Sequence, residues 1–253
     1  MHAVRQRYQN HLLAALPPEE FARISPDLEL LPLALGESIY EPGTTIQYAY
    51  FPTTAVISLL YEMDDGSAAE VAVVGREGMV GMALVMNGES TLSRAVVQNA
   101  GYAYRVKGQV LKRELQRGGS LQQTLMSYTQ ALFTEMAQVL VCNRHHPLEQ
   151  QFCRWLLLRF DRLPVNQLIM SQETISTLIG TRRAAISEIA VKLRKAGVIE
   201  YERGRITLLD RPGLERRSCG CYTVIKNELN RLLPKGISPL RSTPLACVPS
   251  AMA

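Results

Sequence analysis

MSQETISTLIGTRRAAISEIAVKLRKAGVIEYERGRITLLD, residues 170–210, reads as a helix, a tight turn, a second helix and a two-stranded wing. Ser171 is a good N-cap for a helix over residues 172–179, because its hydroxyl can take up a free backbone N–H. Gly180 supplies the permissive backbone that a sharp turn between two packed helices needs. Thr174, Ile175, Leu178 and Ile179 are expected to face inward. The second helix, residues 182–196, is expected to bury Ala185, Ile186, Ile189, Ala190 and Leu193 before Gly197 stops it. Its other face carries Arg182, Arg183, Ala184, Ser187, Glu188 and Val191. Residues 198–201 and 206–209 form the wing, with Arg203, Gly204 and Arg205 at its tip.

Two arginines in the first turn of a helix oppose the helix dipole, which prefers anions there. That misfit fits a helix-turn-helix, whose second helix places its N-terminal residues in the DNA major groove. There arginine binds guanine O6 and N7 in bidentate fashion. The bland alternative is a solvated basic face. Arg182 and Arg183 are expected to take base contacts, Thr181 to sit beside them, Ser187 to meet a base or a phosphate, and Glu188 to accept from a cytosine amino group or orient an arginine. Arg203 and Arg205 suit phosphate contact, with Ser171, Gln172 and Lys192 as weaker phosphate candidates.

The charge distribution agrees. Residues 1–181 hold 14 basic and 17 acidic side chains, residues 182–217 hold 10 and 5, and residues 218–253 hold 4 and 1. The excess of +5 over 253 residues therefore belongs to the C-terminal third, where it favours a polyanionic partner. No apolar run approaches the roughly 20 residues of a membrane helix. Five cysteines with no CxxC indicate neither a disulfide framework nor a simple zinc ribbon, so a reduced, cytoplasmic protein is expected. Walker, GxSxG, HExxH and Rossmann signatures are missing, which argues against an enzyme, and no cofactor is expected.

Upstream, residues 28–106 contain short β-type runs separated by turns, at 30–35, 38–40, 48–51, 55–61, 69–74, 93–98 and 103–106. Asp65-Gly66 is a hairpin signal between two of them. Such spacing means an all-β barrel or sandwich. After Lys107 the period becomes helical, and a long helix over residues 120–142 keeps coiled-coil spacing at Leu121, Leu125, Tyr128, Leu132, Val139 and Cys142, broken by Glu135. From spacing alone, this stripe fits packing on the β domain as well as a dimer seam. His145-His146-Pro147 ends the helix. Adjacent histidines point apart and no further ligand stands at a usual spacing, so no metal site is expected. Residues 148–163 form another helix that buries Phe152, Leu156, Leu157 and Phe160, with Cys153 as a small core residue.

The order of parts resembles the Crp/Fnr family of bacterial transcription regulators over nearly the whole chain. Gly36-Glu37 and Glu41-Pro42-Gly43 resemble the early β-roll turns, Val74-Gly75-Arg76-Glu77-Gly78-Met79-Val80-Gly81 the glycine-rich start of the ligand cassette, and residues 203–210 with Leu214 the wing and the helix after it. The resemblance implies an α+β chain: a jelly-roll-like, cyclic-nucleotide-binding-like β-roll (1–117), a long dimerisation helix (118–146), a winged helix-turn-helix (147–233) and a disordered tail (234–253). It makes the stripe of the long helix a homodimer seam. It implies an inverted-repeat operator in double-stranded DNA, with half-site centres about 34 Å apart. It also implies RNA polymerase and a small-molecule effector as further partners.

An effector pocket is expected at Arg76, Glu77, Gly81, Met82, Ser93, Arg94, Tyr128 and Met136. Bland readings stand beside these residues: Arg76 and Glu77 as a solvated turn pair, Met82 as core filling, Arg94 as an exposed strand residue. Family members that bind cyclic AMP use a Gly-Glu pair and an Arg-Ser-Ala segment. Here Gly81 is followed by Met82, and Ser93-Arg94-Ala95 puts the arginine one place late, on the opposite face of a strand. Cyclic AMP is therefore not the expected effector. Residues 1–141 contain no cysteine for an iron–sulfur cluster, and only His2 and His11 precede the long helix as haem ligands. Cys219 and Cys221 are candidates for oxidative tuning, near Arg216 and Arg217. The rival reading is a cyclic-nucleotide-binding-like module that acts through a protein partner.

Overall fold

A computed structural model describes residues 9–233. The described residues begin with two short helices, α1 (His11–Ala14) and α2 (Pro18–Ile24). Seven strands follow: β1 (Glu29–Leu33), β2 (Ser38–Tyr40), β3 (Tyr48–Pro52), β4 (Val56–Glu62), β5 (Ala68–Val74), β6 (Arg94–Asn99) and β7 (Gly101–Lys107). Helices α3 (Gly108–Gln116), α4 (Ser120–His145) and α5 (Leu148–Arg162) lead to β8 (Gln167–Ile169). The C-terminal part is α6 (Gln172–Ile179), α7 (Arg183–Lys195), β9 (Ile199–Glu202), β10 (Arg205–Leu208), α8 (Arg211–Arg217) and α9 (Cys221–Leu232).

The N-terminal strands build two antiparallel sheets, β1-β7-β3 and β2-β6-β4-β5. The apolar run of β4 is buried on both faces from Val56 to Leu60, because β4 lies between β5 and β6 and is covered above and below. Every strand expected from the sequence is present within two residues at each end. The expected α+β order of β-roll, long helix and winged helix-turn-helix is the order observed. The tail over residues 234–253, with Cys247, and also His2 lie outside the described residues.

Asn10 fastens the first helix to this roll. Its Oδ1 accepts from Leu12 N and Leu13 N, and its Nδ2 donates to the carbonyls of Pro52 and Gly78. The next residue, His11, is buried with its Nδ1 unpaired. Burial, aided by the Arg76 guanidinium, lowers its pKa from 6.5 to about 4. A histidine that is neutral when folded contributes stability above pH 6.5 and loses it as pH falls toward 4. This amounts to on the order of 3 kcal/mol. Chemical denaturation at pH 7 and pH 4.5 should show that loss, and His11→Phe should flatten it.

Helix α5 joins the parts. Besides Phe152, Leu156, Leu157, Phe160 and Cys153, buried as expected, it buries four charged residues, Arg154, Arg159, Asp161 and Arg162. Arg162 lies between two carboxylates, with Nε donating to Glu77 Oε1 at 2.6 Å and Nη2 to Glu135 Oε2 at 2.8 Å. Arg159 pairs with Glu70 and stacks 3.4 Å over the Trp155 ring. Asp161 accepts from Arg211 and from the Tyr222 hydroxyl. One helix is thus bonded to the β-roll, the long helix and the C-terminal domain.

The apolar stripe of α4 faces inward. Leu121, Leu125, Tyr128, Leu132 and Cys142 are buried within their own chain, and Val139 is half-buried. The polar break at Glu135 lies on the same inward face because it answers Arg162. The outward face carries another row, Met126, Phe133 and Leu140, exposed by 52, 58 and 73% at seven-residue spacing. The helix is apolar on two sides, one buried within the chain and one exposed.

Candidate nucleic-acid interface

Ser171 caps α6 as expected, its hydroxyl accepting from Thr174 N at 3.0 Å. Gly180 ends the helix at φ +77, a left-handed conformation costly for any residue with a Cβ. The inward face of α6 is Ile175, Ser176 and Leu178, with Ile179 half-buried. Thr174, expected inside, is exposed and bonded to the cap, so the facing differs by part of a turn. Helix α7 buries Ile186, Ile189, Ala190 and Leu193, while Ala185 is half-buried. The two helices are tied by a hydrogen bond from the Ser187 hydroxyl to Gln172 Oε1, and Ser187 also donates to the Arg183 carbonyl at 3.1 Å.

Arg182 occupies the N-cap of α7 in extended conformation, and no side chain caps the helix. No side chain therefore takes up its first-turn amides, although Ala185 N bonds back to the Arg182 carbonyl at 3.0 Å; helix N-termini of this kind can hold phosphate. Arg182, Arg183, Glu188 and Lys192 are exposed, and Thr181 is half-buried beside them. The wing is a three-stranded sheet, β8-β10-β9, rather than the expected two strands. The third strand was missed because Gln167–Ile169 is only three residues long and buries only Leu168. Arg203 and Gly204 sit at φ +48 and +78, the pair of positive values that a two-residue hairpin turn requires. This points exposed Arg203 and Arg205 outward from the tip. The Tyr201 hydroxyl donates to the Met170 carbonyl and binds the wing to the start of α6. Burial raises this phenol to about 12.

The ion pairs of this region divide into two sets. Arg211 pairs with Asp161 and Glu215, Arg216 with Asp210 and Arg217 with Glu149. Among the described residues, Arg182, Arg183, Lys192, Arg203 and Arg205 pair with no carboxylate, and all five are exposed. Cations behind the wing hold the fold together, whereas those on α7 and the wing tip are left free.

The expected effector residues are held in several different ways. Glu77 is locked in the Arg162 pair, with Oε1 also accepting from Gly75 N. Gly78 leaves no space for a side chain, since a Cβ there would overlap the Tyr128 hydroxyl, and Tyr128 fills the gap between roll and long helix. Met82 is buried, as the core-filling alternative had it, and Gly81 before it takes φ +102. Ser93 is buried against Thr91. Arg94 is held by Glu41 and Glu62, each at 3.0 Å, on the roll exterior. Arg76 and Met136 are half-buried. A groove of about 440 Å³ lies elsewhere, lined by Ile46, Tyr48, Leu84, Lys107 and Lys112 among others.

The fold brings Cys219 and Cys221 to Cys142 and His146, so ligand-type side chains do stand beside His146. The signal present in the sequence was Cys142 and His146 four residues apart on one helix face, with a Cys-x-Cys pair far downstream.

Residues 150–217 match the Crp-like helix-turn-helix domain. No curated protein matches the chain. Among solved structures, a putative Crp/Fnr-family transcriptional regulator from Eubacterium rectale is similar with a TM-score of 0.65 at 16% identity, over 82% of this chain and 97% of that one. FixK2 from Bradyrhizobium japonicum gives 0.64 at 17%, over 76% and 98%. The c-di-GMP responsive global regulator CLP of Xanthomonas campestris gives 0.57 at 14%, over 77% and 100%. Residues 150–217 are thus a Crp-like helix-turn-helix domain, and the chain as a whole has the fold of the Crp/Fnr transcription regulators. Among the described residues no helix is long and apolar enough to cross a membrane.

Proposed function

We propose that this protein is a homodimeric, sequence-specific DNA-binding transcription regulator that reads an inverted repeat through α7. The observation that carries this reading is the set of exposed, unpaired cations at the start of α7 and on the wing tip. Arg182 and Arg183 read base edges, with Ser187 and Glu188 behind them. Arg203, Arg205 and Lys192 hold phosphates. Thr181, Ser171 and Gln172 support them, although the hydroxyl of Ser171 is spent on its cap and Gln172 on Ser187. Selection of bound duplexes from a random pool tests the reading, and an inverted repeat is the expected product. Enrichment of no sequence would move the weight to a protein-docking role.

A second copy covers the outward face of α4, where Met126, Phe133 and Leu140 recur every seven residues. Phe133→Glu should give a monomer in sedimentation while leaving the circular dichroism of the chain intact, because Phe133 is outside the core. Cyclic AMP is not the effector under this proposal, since Arg94 is engaged by two carboxylates and Tyr128 fills the space beside Gly78. The duplexes recovered should be the same with and without it.

A further inference from the structure

We propose that Cys142, His146, Cys219 and Cys221 form a binding site for a thiophilic divalent cation, zinc by its chemistry. The four ligand atoms all lie within 4.8 Å of one another. Cys142 Sγ is 3.3 Å from Cys219 Sγ, and Cys221 Sγ is 3.5 Å from His146 Nδ1. A tetrahedron with Zn–S near 2.3 Å and Zn–N near 2.0 Å has edges of about 3.5–3.8 Å, so small side-chain rotations suffice to close it. Three sulfurs and one imidazole exclude magnesium and calcium, which require oxygen ligands.

Burial and surroundings fit such a site. The three cysteines form a small cluster of their own, separate from the main core and buried, while His146 is half-buried at the rim. Three neighbouring buried thiols are otherwise poor core filling, since each gives less apolar area than the valine or leucine that the position would hold. Gln138 Nε2 lies 3.5 Å from Cys221 Sγ, the position of an outer donor that steadies a metal-bound sulfur.

The position gives the site a role in the architecture. Cys142 and His146 belong to the last turn and cap of α4, just before Pro147 turns the chain into α5. Cys219 precedes α9 and Cys221 is its first residue. The cation would therefore staple the end of the long helix to the last helix of the C-terminal domain, across the joint that sets where α7 points. This inference does not depend on what α7 binds.

The test uses the full chain, purified under reducing conditions, stripped with a chelator and reloaded with Zn²⁺ or Co²⁺. One equivalent of metal per chain is expected to remain after dialysis, and the Co²⁺ form should show the visible bands and sulfur charge-transfer absorption of a tetrahedral thiolate site. Cys221→Ser and Cys219→Ser should abolish that spectrum with unchanged circular dichroism, His146→Gln should weaken retention, and Cys247→Ser should leave it intact. The wild-type spectrum alone decides the matter if a variant does not fold. A six-coordinate Co²⁺ spectrum, metal retained in the Cys219→Ser, Cys221→Ser double variant, or loss of two hydrogens from the mass with no metal uptake would each overturn the proposal.

Discussion

Arg182→Ala combined with Arg183→Ala should weaken binding to the selected duplex at least roughly 30-fold while leaving the fold unchanged. A bidentate arginine–guanine contact contributes about 1–3 kcal/mol of discrimination, so two contacts contribute about 2 kcal/mol or more, and each 1.4 kcal/mol is tenfold. Both side chains are exposed, and neither has a carboxylate partner among the described residues. Removing them leaves no buried charge behind. Binding to random duplexes should fall much less, so the specificity ratio should collapse. Arg203→Ala with Arg205→Ala should act differently: affinity falls for every sequence alike, and the dependence of log K on log salt becomes shallower by about two, since each cation releases about one counterion. Fluorescence anisotropy at several salt concentrations separates the two effects. Equal losses on specific and random duplexes for the α7 variant would remove Arg182 and Arg183 from base reading.

Arg162→Met should cost about 3–5 kcal/mol of stability, the effect of taking the cation from a buried ion cluster. Arg162 is within bonding distance of Glu77 at 2.6 Å and Glu135 at 2.8 Å, and all three side chains are at most 2% exposed. The wild-type carboxylates shift in opposite directions. Burial disfavours the charge of Glu77, but the Arg162 guanidinium holds it below the usual carboxylate range, whereas burial pushes Glu135 above that range against the same attraction. Glu77 thus contributes stability that is lost as pH falls, and Glu135 stability that is lost as pH rises, so the intact cluster depends weakly on pH. Without Arg162 both carboxyls are raised, and both then contribute stability that is lost as pH rises. The gap between variant and wild type should therefore be widest near pH 7 and should narrow toward pH 4. Replacing Glu77 and Glu135 with apolar residues of similar size in the same variant should restore much of the loss. Urea unfolding of the three proteins across that pH range measures all of this. A gap independent of pH would mean that packing, not charge, is what Arg162 supplies.

The DNA-reading part was legible because its signals are local. Ser171 and Gly180 mark the ends of one helix, the apolar spacing from Ile186 to Leu193 marks the next, and Arg203-Gly204 marks the hairpin. Each depends on residues within about one turn of one another. The strands of the β-roll were legible for the same reason, from period-two runs between turns. What the sequence by itself determined was therefore the strands of the roll, the long helix, the two helices and hairpin of the winged part, and which cations stand on α7 and the wing; the short α1, α2 and β8 and the last helix α9 were not among them. The tertiary structure alone decided which of the two apolar faces of α4 turns inward, because Met126 and Phe133 look as buriable as Leu125 and Leu132 until the β-roll and α9 are in place. It also decided that Glu135 and Glu77 share Arg162, that Tyr128 closes the space beside Gly78, and that Cys142 and His146 meet Cys219 and Cys221. Those partners lie 27 to 85 residues apart in the chain. No local propensity encodes such separations, and only the packing of α5 and α9 against α4 brings them together.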